Sequence, residues 1–410
     1  MRQLTTTFLT CCILILWGCG SSSSNEEENT LVDSGPQTWE QTLQQAKGTT
    51  VQMMMWQGDP FINAYMEDYV IPTVQNQFGV SIEISSGQGT QIVSTLMSEQ
   101  QARVAESAVD LVWINGETFF QLRQIDALYG PFTDDLPNSD FINWDSPFIS
   151  QDFQQPTDGY ECPWGNVQYC LIYNSEHVTS PPKTLDELED WVKQHPGKFT
   201  FSSDFTGMTL LKSMLINMAG SKTALDGPFD EAKYNELSSH LWEYLNRIKP
   251  YFWREGKTFP SSVAPMHQLF SNGELWFTMS NNDGEVENKV LQGVLPSSSR
   301  AYVLEGGTIQ NSHYLGVVKK AKHKAGAQVL INFLISPEAQ LRKADPAVWG
   351  DGTVLELTRL PAQYQEEIKR LNNREFAPTR ASIEPFALKE PDPEYMIRLN
   401  ADFRKYVIEK

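Results

Sequence analysis

The sequence predicts an α/β protein built as two lobes, and three observations carry that prediction. Between residues 50 and 117 the chain runs strand, turn, helix three times in succession, the pattern of a mostly parallel sheet with helices on its faces. The alternation then starts afresh beyond a central stretch, residues 159–174, whose last part (Tyr169 to Tyr173) is apolar and aromatic enough for a buried strand. A length of 410 residues also exceeds one simple core, so two lobes are the natural expectation.

Each element has its own signal. Thr38, followed by Gln41 three residues on, is a capping-box start for a short helix that Gly48 closes. Residues 51–56 form an apolar strand ended by Gln57, Gly58 and Asp59, and Pro60 suits the first turn of the helix that follows. Residues 80–84 alternate as a second strand, and a turn at Gly87, Gln88, Gly89 and Thr90 opens a helix bearing Ile92, Val93, Leu96 and Met97. Residues 109–114 make a third strand ending at Asn115, Gly116 and Glu117. Residues 130–158, rich in Pro, Asp, Asn and Phe without periodicity, read as a surface excursion. Further on, strands are expected at 198–201, 275–279, 302–304 and 314–318. Helices are expected after Thr184, from Asp204 to Met218, and over 230–248, 262–272 and 326–334; the C-terminal part reads as helical with Pro punctuation.

The first residues are not fold. Arg2 precedes an apolar run from Leu4 to Leu16, which matches a signal-peptide core of about 7–15 residues and falls short of the ~20 that span a bilayer. It ends in Leu16, Trp17, Gly18 and Cys19, which resembles a bacterial lipobox with Cys19 as the lipidated residue; a plain secretory signal is the competing reading. Residues 1–18 are thus expected to be a lipoprotein signal peptide and 19–37 a flexible polar tether. The mature chain then keeps only Cys162 and Cys170 as thiols, in an oxidising compartment. A disulfide between them is expected, against the alternative of two buried thiols. A formal charge of −19 argues against a nucleic-acid partner, which needs a cationic footprint. The six histidines show no pair at helical metal-site spacing, and no nucleophile elbow, phosphate loop or dinucleotide fingerprint appears. No cofactor, metal or catalytic set is therefore expected, and a monomer that is not an enzyme is the working expectation.

Several blocks carry a resemblance. Lys183 to Leu188 after a strand ending Tyr173-Asn174, then Asn272-Gly273-Glu274, then residues 332–340, resemble in this order the extracellular solute-binding proteins (family 1) of ABC importers. Residues 56–63, 204–207 and 307–311 look closer still to the YnjB-like branch of that family. The likeness runs from about residue 38 to the C-terminus; the cysteine pair and residues 130–158 fall outside it. It implies a bilobal type II periplasmic-binding fold, with two mixed sheets flanked by helices and joined by two crossover segments. The lobes would be 38–162 (lobe I, first part), 163–310 (lobe II with the crossovers) and 311–410 (lobe I return and C-terminal helices). The implied function is a lipid-anchored substrate-binding component, periplasmic or in the cell envelope, which captures a small solute in an inter-lobe cleft and delivers it to an ABC permease. The branch hints at a thiamine-like or other cationic nitrogenous solute. The alternative is an envelope lipoprotein enzyme or ligand sensor on the same scaffold.

In such folds ligand contacts come from loops after strands. Lobe I offers Trp56, Gly58, Asp59 and Asn63, then Gly87, Gln88 and Thr90, then Asn115 and Glu117. Lobe II offers Thr206 and Gly207 at a helix start and Asn281, Asn282 and Asp283 after a strand; the crossings offer Trp164, Tyr173, Thr308 and Asn311. Bland readings compete at several of these: Trp56 as core, Asp59 as a helix cap, the Gly87–Thr90 loop as an ordinary turn.

Overall fold

Thr38 does cap the first helix: its hydroxyl accepts from the Gln41 N–H while the Gln41 side chain takes the Thr38 N–H, closing the capping box. From there the computed structural model describes residues 38–409; Cys19 and the tether lie outside them. Helix α1 (Trp39–Ala46) leads into β1 (Thr50–Met55), α2 (Pro60–Ala64), β2 (Ser81–Ser86), α3 (Thr90–Gln101), β3 (Leu111–Ile114) and α4 (Gly116–Gln124). A small hairpin of β4 (Gln151–Asp152) and β5 (Gln155–Pro156) precedes β6 (Cys162–Gln168) and β7 (Cys170–Asn174). Helices α5 (Phe205–Met218) and α6 (Glu231–Ile248), strand β8 (Phe277–Ser280), α7 (Glu285–Leu291) and β9 (Ser299–Tyr302) follow. Then come β10 (Thr308–Val317), α8 (Lys324–Leu334), α9 (Pro337–Ala344), β11 (Ala387–Leu388) and α10 (Pro393–Phe403).

Two sheets result. The first runs β11–β10–β3–β1–β2, with β6 also paired to β10. Strands β1, β2 and β3 are parallel, as expected of repeated strand–helix units, and β10 joins β3 and β6 antiparallel. The second, β8–β7–β9, is antiparallel throughout rather than mixed. Two apolar clusters match the sheets. One holds Val51, Met53, Ile82, Leu111, Phe119, Cys162, Trp164, Leu315 and Leu330; the other holds Phe153, Leu171, Leu211, Phe277 and Leu399. Strand β6 therefore lies in the first lobe and β7 in the second, and β10 runs from Ile309 in the second core to Tyr314 in the first.

Four expectations need correction. Residues 198–201 are not a strand; instead the carbonyls of Lys198 and Phe199 accept from the N–H groups of Trp276 and Trp253. Residues 130–158 are no mere surface excursion, because Phe132, Leu136, Ile142, Ile149 and Phe153 are buried. The absence of periodicity reflects short 3₁₀ turns and the hairpin, not exposure. Cys162 and Cys170 are free buried thiols rather than a disulfide. They lie eight residues apart along extended chain, about 26 Å at strand rise, whereas a bridge needs Cα atoms within about 7 Å. Finally, residues 311–410 divide between the lobes: Tyr314 to Ile368 pack in the first core, but Phe376, Tyr395, Met396, Leu399, Phe403 and Val407 pack in the second.

Candidate ligand cleft

The ends of β1, β2 and β3 in the first lobe and of β8 in the second carry the loops singled out from sequence. Strand β8 runs antiparallel to β7 so that Ser280 faces Cys170, which puts residues 281–283 beside the crossing. By the same register Tyr173 pairs with Phe277 at the opposite end of the sheet. There its ring meets Tyr302 at 5.7 Å and Phe277 at 6.5 Å, away from the crossing.

After β1, Trp56 is half-buried and stands edge-on to Trp113 at 6.5 Å. A Cβ on Gly58 would come within 2.5 Å of the Trp56 indole, so the glycine is what lets the indole fold back over the loop. Asp59 does the work expected of a cap, accepting from the N–H of Phe61 at 2.7 Å and of Ile62 at 3.4 Å. Its second oxygen is taken by Lys289 of α7, from the other lobe. That ammonium also lies 4.6 Å from the Phe61 ring centroid and 3.6 Å from Glu285. Burial would push the Glu285 carboxyl up, but His267, Lys289 and Ser280 hold it down at about 2. Asn63 donates its amide to the Gln57 carbonyl at 3.1 Å, which fixes the orientation of the amide, and its Oδ1 is buried without a partner.

At the second loop, Gly87 is buried with its N–H on the Met55 carbonyl at 3.0 Å, and a Cβ there would strike Met54. Gln88 and Thr90 are exposed, and Gly89 (φ 44°) precedes α3 with no side-chain cap. At the third loop Asn115 likewise leaves α4 uncapped by a side chain. Glu117, in the first turn of α4, has a buried Oε2 with no partner. Burial drives its carboxyl upward, opposed by the Lys212 ammonium.

In the second lobe Asp204 caps α5 through the N–H groups of Thr206 and Gly207. The Thr206 hydroxyl meets the Asn281 amide at 2.9 Å, and Asn281 Oδ1 is buried and unpaired. Gly207 is dictated by contact, since a Cβ would lie 1.6 Å from the Ser202 carbonyl oxygen. Asn282 is structural: its amide reaches the Gly350 carbonyl at 3.2 Å and its Oδ1 takes the Gly284 N–H at 2.8 Å. Asp283 is buried and claimed by Arg374, Arg380 and the Gln168 N–H. Burial would raise its carboxyl, but the two arginines prevail and hold it below the usual range. It is not available to a cationic solute.

Of the crossing residues, Thr308 is buried and accepts from Gln168 at 3.2 Å, and Asn311 donates to Glu390 at 3.1 Å. Trp164 is fully buried among Trp113 (5.1 Å), Trp349 and His313 (both 5.4 Å), so it is core and not cleft lining.

Several groups escaped the sequence reading. Lys212 is wholly buried, 2.5 Å from Glu390, with its ammonium over the rings of Phe153 (4.2 Å) and Phe205 (5.0 Å). A signal existed: it is the one cation in the otherwise apolar helix 205–218. Glu390, on a segment far along the chain, had no such signal. Asp152, at the hairpin, accepts the Gly116 N–H at 2.5 Å, and a small recess lies between it, Phe153, Asn311, Ser312 and Glu390. Among the described residues no group of His, Cys, Asp and Glu side chains suits a metal ion, and no helix is long and apolar enough to cross a membrane.

Two sheets, each with its own core, are joined at crossing strands, and Lys289 of the second lobe reaches Asp59 of the first. The model for bacterial extracellular solute-binding proteins matches residues 63–371, and the chain belongs to that family. Escherichia coli protein YnjB is 35% identical over 353 residues, which cover 85% of this chain and 90% of YnjB. Among solved structures, the spermidine/putrescine substrate-binding protein PotD from Streptococcus pneumoniae aligns with a TM-score of 0.62 at 14% identity, over 87% of this chain and 99% of that one. Iron-bound HitA from Pseudomonas aeruginosa aligns at 0.56 with 18% identity, over 86% and 99%. These neighbours are type II periplasmic-binding proteins, the fold expected from the sequence.

Proposed function

We propose that this protein is the lipid-anchored, monomeric substrate-binding component of an ABC importer, and that it captures a small nitrogenous cation between its lobes for delivery to a permease. One observation carries the choice of solute. Asn63 Oδ1, Glu117 Oε2 and Asn281 Oδ1 are buried acceptors without donors, placed in α2, in the first turn of α4 and just after β8. A buried acceptor left unmade costs about 1–3 kcal/mol, so a ligand that brings N–H donors recovers that cost on closure. Contacts made by both lobes at once are what favours the closed form. Neighbours of the same fold carry names as different as spermidine/putrescine and iron, so the fold alone does not select the solute. The thiamine-like reading is one member of the proposed class, and Cys19 is the proposed lipid attachment point.

Glu117 adds a signature. Burial raises its carboxyl and an arriving cation would lower it again, so binding is expected to release protons at pH values near that raised range. Calorimetry with organic cations (putrescine, spermidine, guanidine, choline, thiamine) and matched anions in buffers of different ionisation enthalpy tests both points, with solution scattering to follow compaction. Cation binding with proton release and compaction is expected. Binding confined to the anions, or turnover of a bound compound, would replace this reading.

A further inference from the structure

The cleft holds more acid than base at one place. The carboxyls of Glu117, Asp152 and Glu390 and the ammonium of Lys212 all act on one another electrostatically, so three acids share one buried cation. Asp152 is accounted for by the Gly116 N–H, and burial, then Glu390, push its carboxyl well up. Glu390 holds Lys212 at 2.5 Å and is itself fixed by the Asn311 amide at 3.1 Å. Glu117 alone keeps a buried oxygen with no partner.

We infer that Glu390 is a specificity-determining residue: by engaging Lys212 it keeps that cation off Glu117, and so leaves Glu117 as the carboxylate open to a positively charged solute. This rests on the proposed cationic reading of the cleft. The arrangement explains why a buried lysine sits in a site that takes a cation. Lys212 is held on two aromatic faces and the Glu390 carboxylate, and that acid partner comes from a segment 178 residues away, just before α10. Without Glu390 the same lysine would neutralise Glu117 from within and repel the solute.

The test compares Glu390→Gln, which keeps the shape and the Asn311 contact, with the double variant Glu390→Gln, Lys212→Met. The double variant removes both charges, so no lone buried ion is left to unfold the chain. Two readouts are taken on each: the titration of the Glu117 carboxyl by ¹³C NMR, and affinity for the organic-cation panel. Glu390→Gln should move the Glu117 titration to lower pH and weaken cation binding at least tenfold. The double variant should move the titration back up and restore affinity to within about threefold of the unmodified protein. A pair that was merely structural would give no titration change in Glu390→Gln, or a double variant that binds no better than the single one; either result overturns the inference. If the unmodified protein bound no cation while the titrations moved as stated, the functional reading would fail and the pairing would stand.

Discussion

Glu161 is the most isolated charge-bearing side chain among the described residues: it is 0% exposed and neither carboxylate oxygen has a partner. Burial, then neighbouring Asp152, push its carboxyl well up, against Arg123. A carboxyl raised in the folded state keeps its proton where the unfolded chain has lost it. Stability is therefore highest below the ordinary carboxylate range and declines as pH rises from there toward the raised folded value. Replacing Glu161 with Gln should flatten that decline and stabilise the protein at neutral pH by about 1–2 kcal/mol; parallel melting curves of both proteins across that range would contradict it. The two thiols make a second prediction. Both are buried with their ionisation pushed upward, Cys162 by burial and then Glu161, Cys170 by burial and then Asp283. Intact-mass alkylation without reductant should add nothing to the folded protein and label both residues once it is denatured. A mass two protons short under denaturing conditions would restore the disulfide.

At the scale of elements, α5 depends on its first turn. Asp204 caps it, and Gly207 passes so close to Ser202 that any side chain must displace backbone. Gly207→Ala is expected to destabilise by about 2–3 kcal/mol through that clash, read from chemical denaturation. The helix also shows what a sequence can and cannot disclose. Its length and its apolar character were legible, as were the capping box at Thr38, the Pro60 helix start and the parallel strand–helix units, because these signals are local. The turns after β1, β3 and β8 that lead to Asp59, Asn63, Glu117 and Asn281 were legible too, since strand ends mark them. What each residue does there was not. Asp283 faces two arginines about a hundred positions onward, and Asp59 meets a lysine 230 residues away. Trp164 faces three aromatic partners from separate segments. Helix α10 shows the same limit: Tyr395, Met396, Leu399 and Phe403 announce an amphipathic helix, but periodicity does not say which core receives it.

For the molecule as a whole, the Lys289–Asp59 pair is the ion pair that reaches directly from α7 to the loop after β1, with both side chains largely buried. Removing one member of a buried pair costs about 3–5 kcal/mol, a hundredfold or more in a two-state population. Lys289→Met should therefore shift the ligand-free protein toward a more open form, seen as a larger radius of gyration in solution scattering. An unchanged radius would mean that other ties, such as the Asn282 amide on the Gly350 carbonyl and the Asn288 amide on the Pro346 carbonyl, suffice by themselves to hold the lobes together.

The division of the last hundred residues between the two cores also bears on where the chain tolerates being cut. Leu388, Tyr395, Met396, Leu399, Phe403 and Val407 form one wall of the second core, so a chain cleaved ahead of Leu388 would lose that wall and open the remaining apolar side chains to water. The second lobe is thus closed by a segment that reaches it only after the chain has passed back through the first.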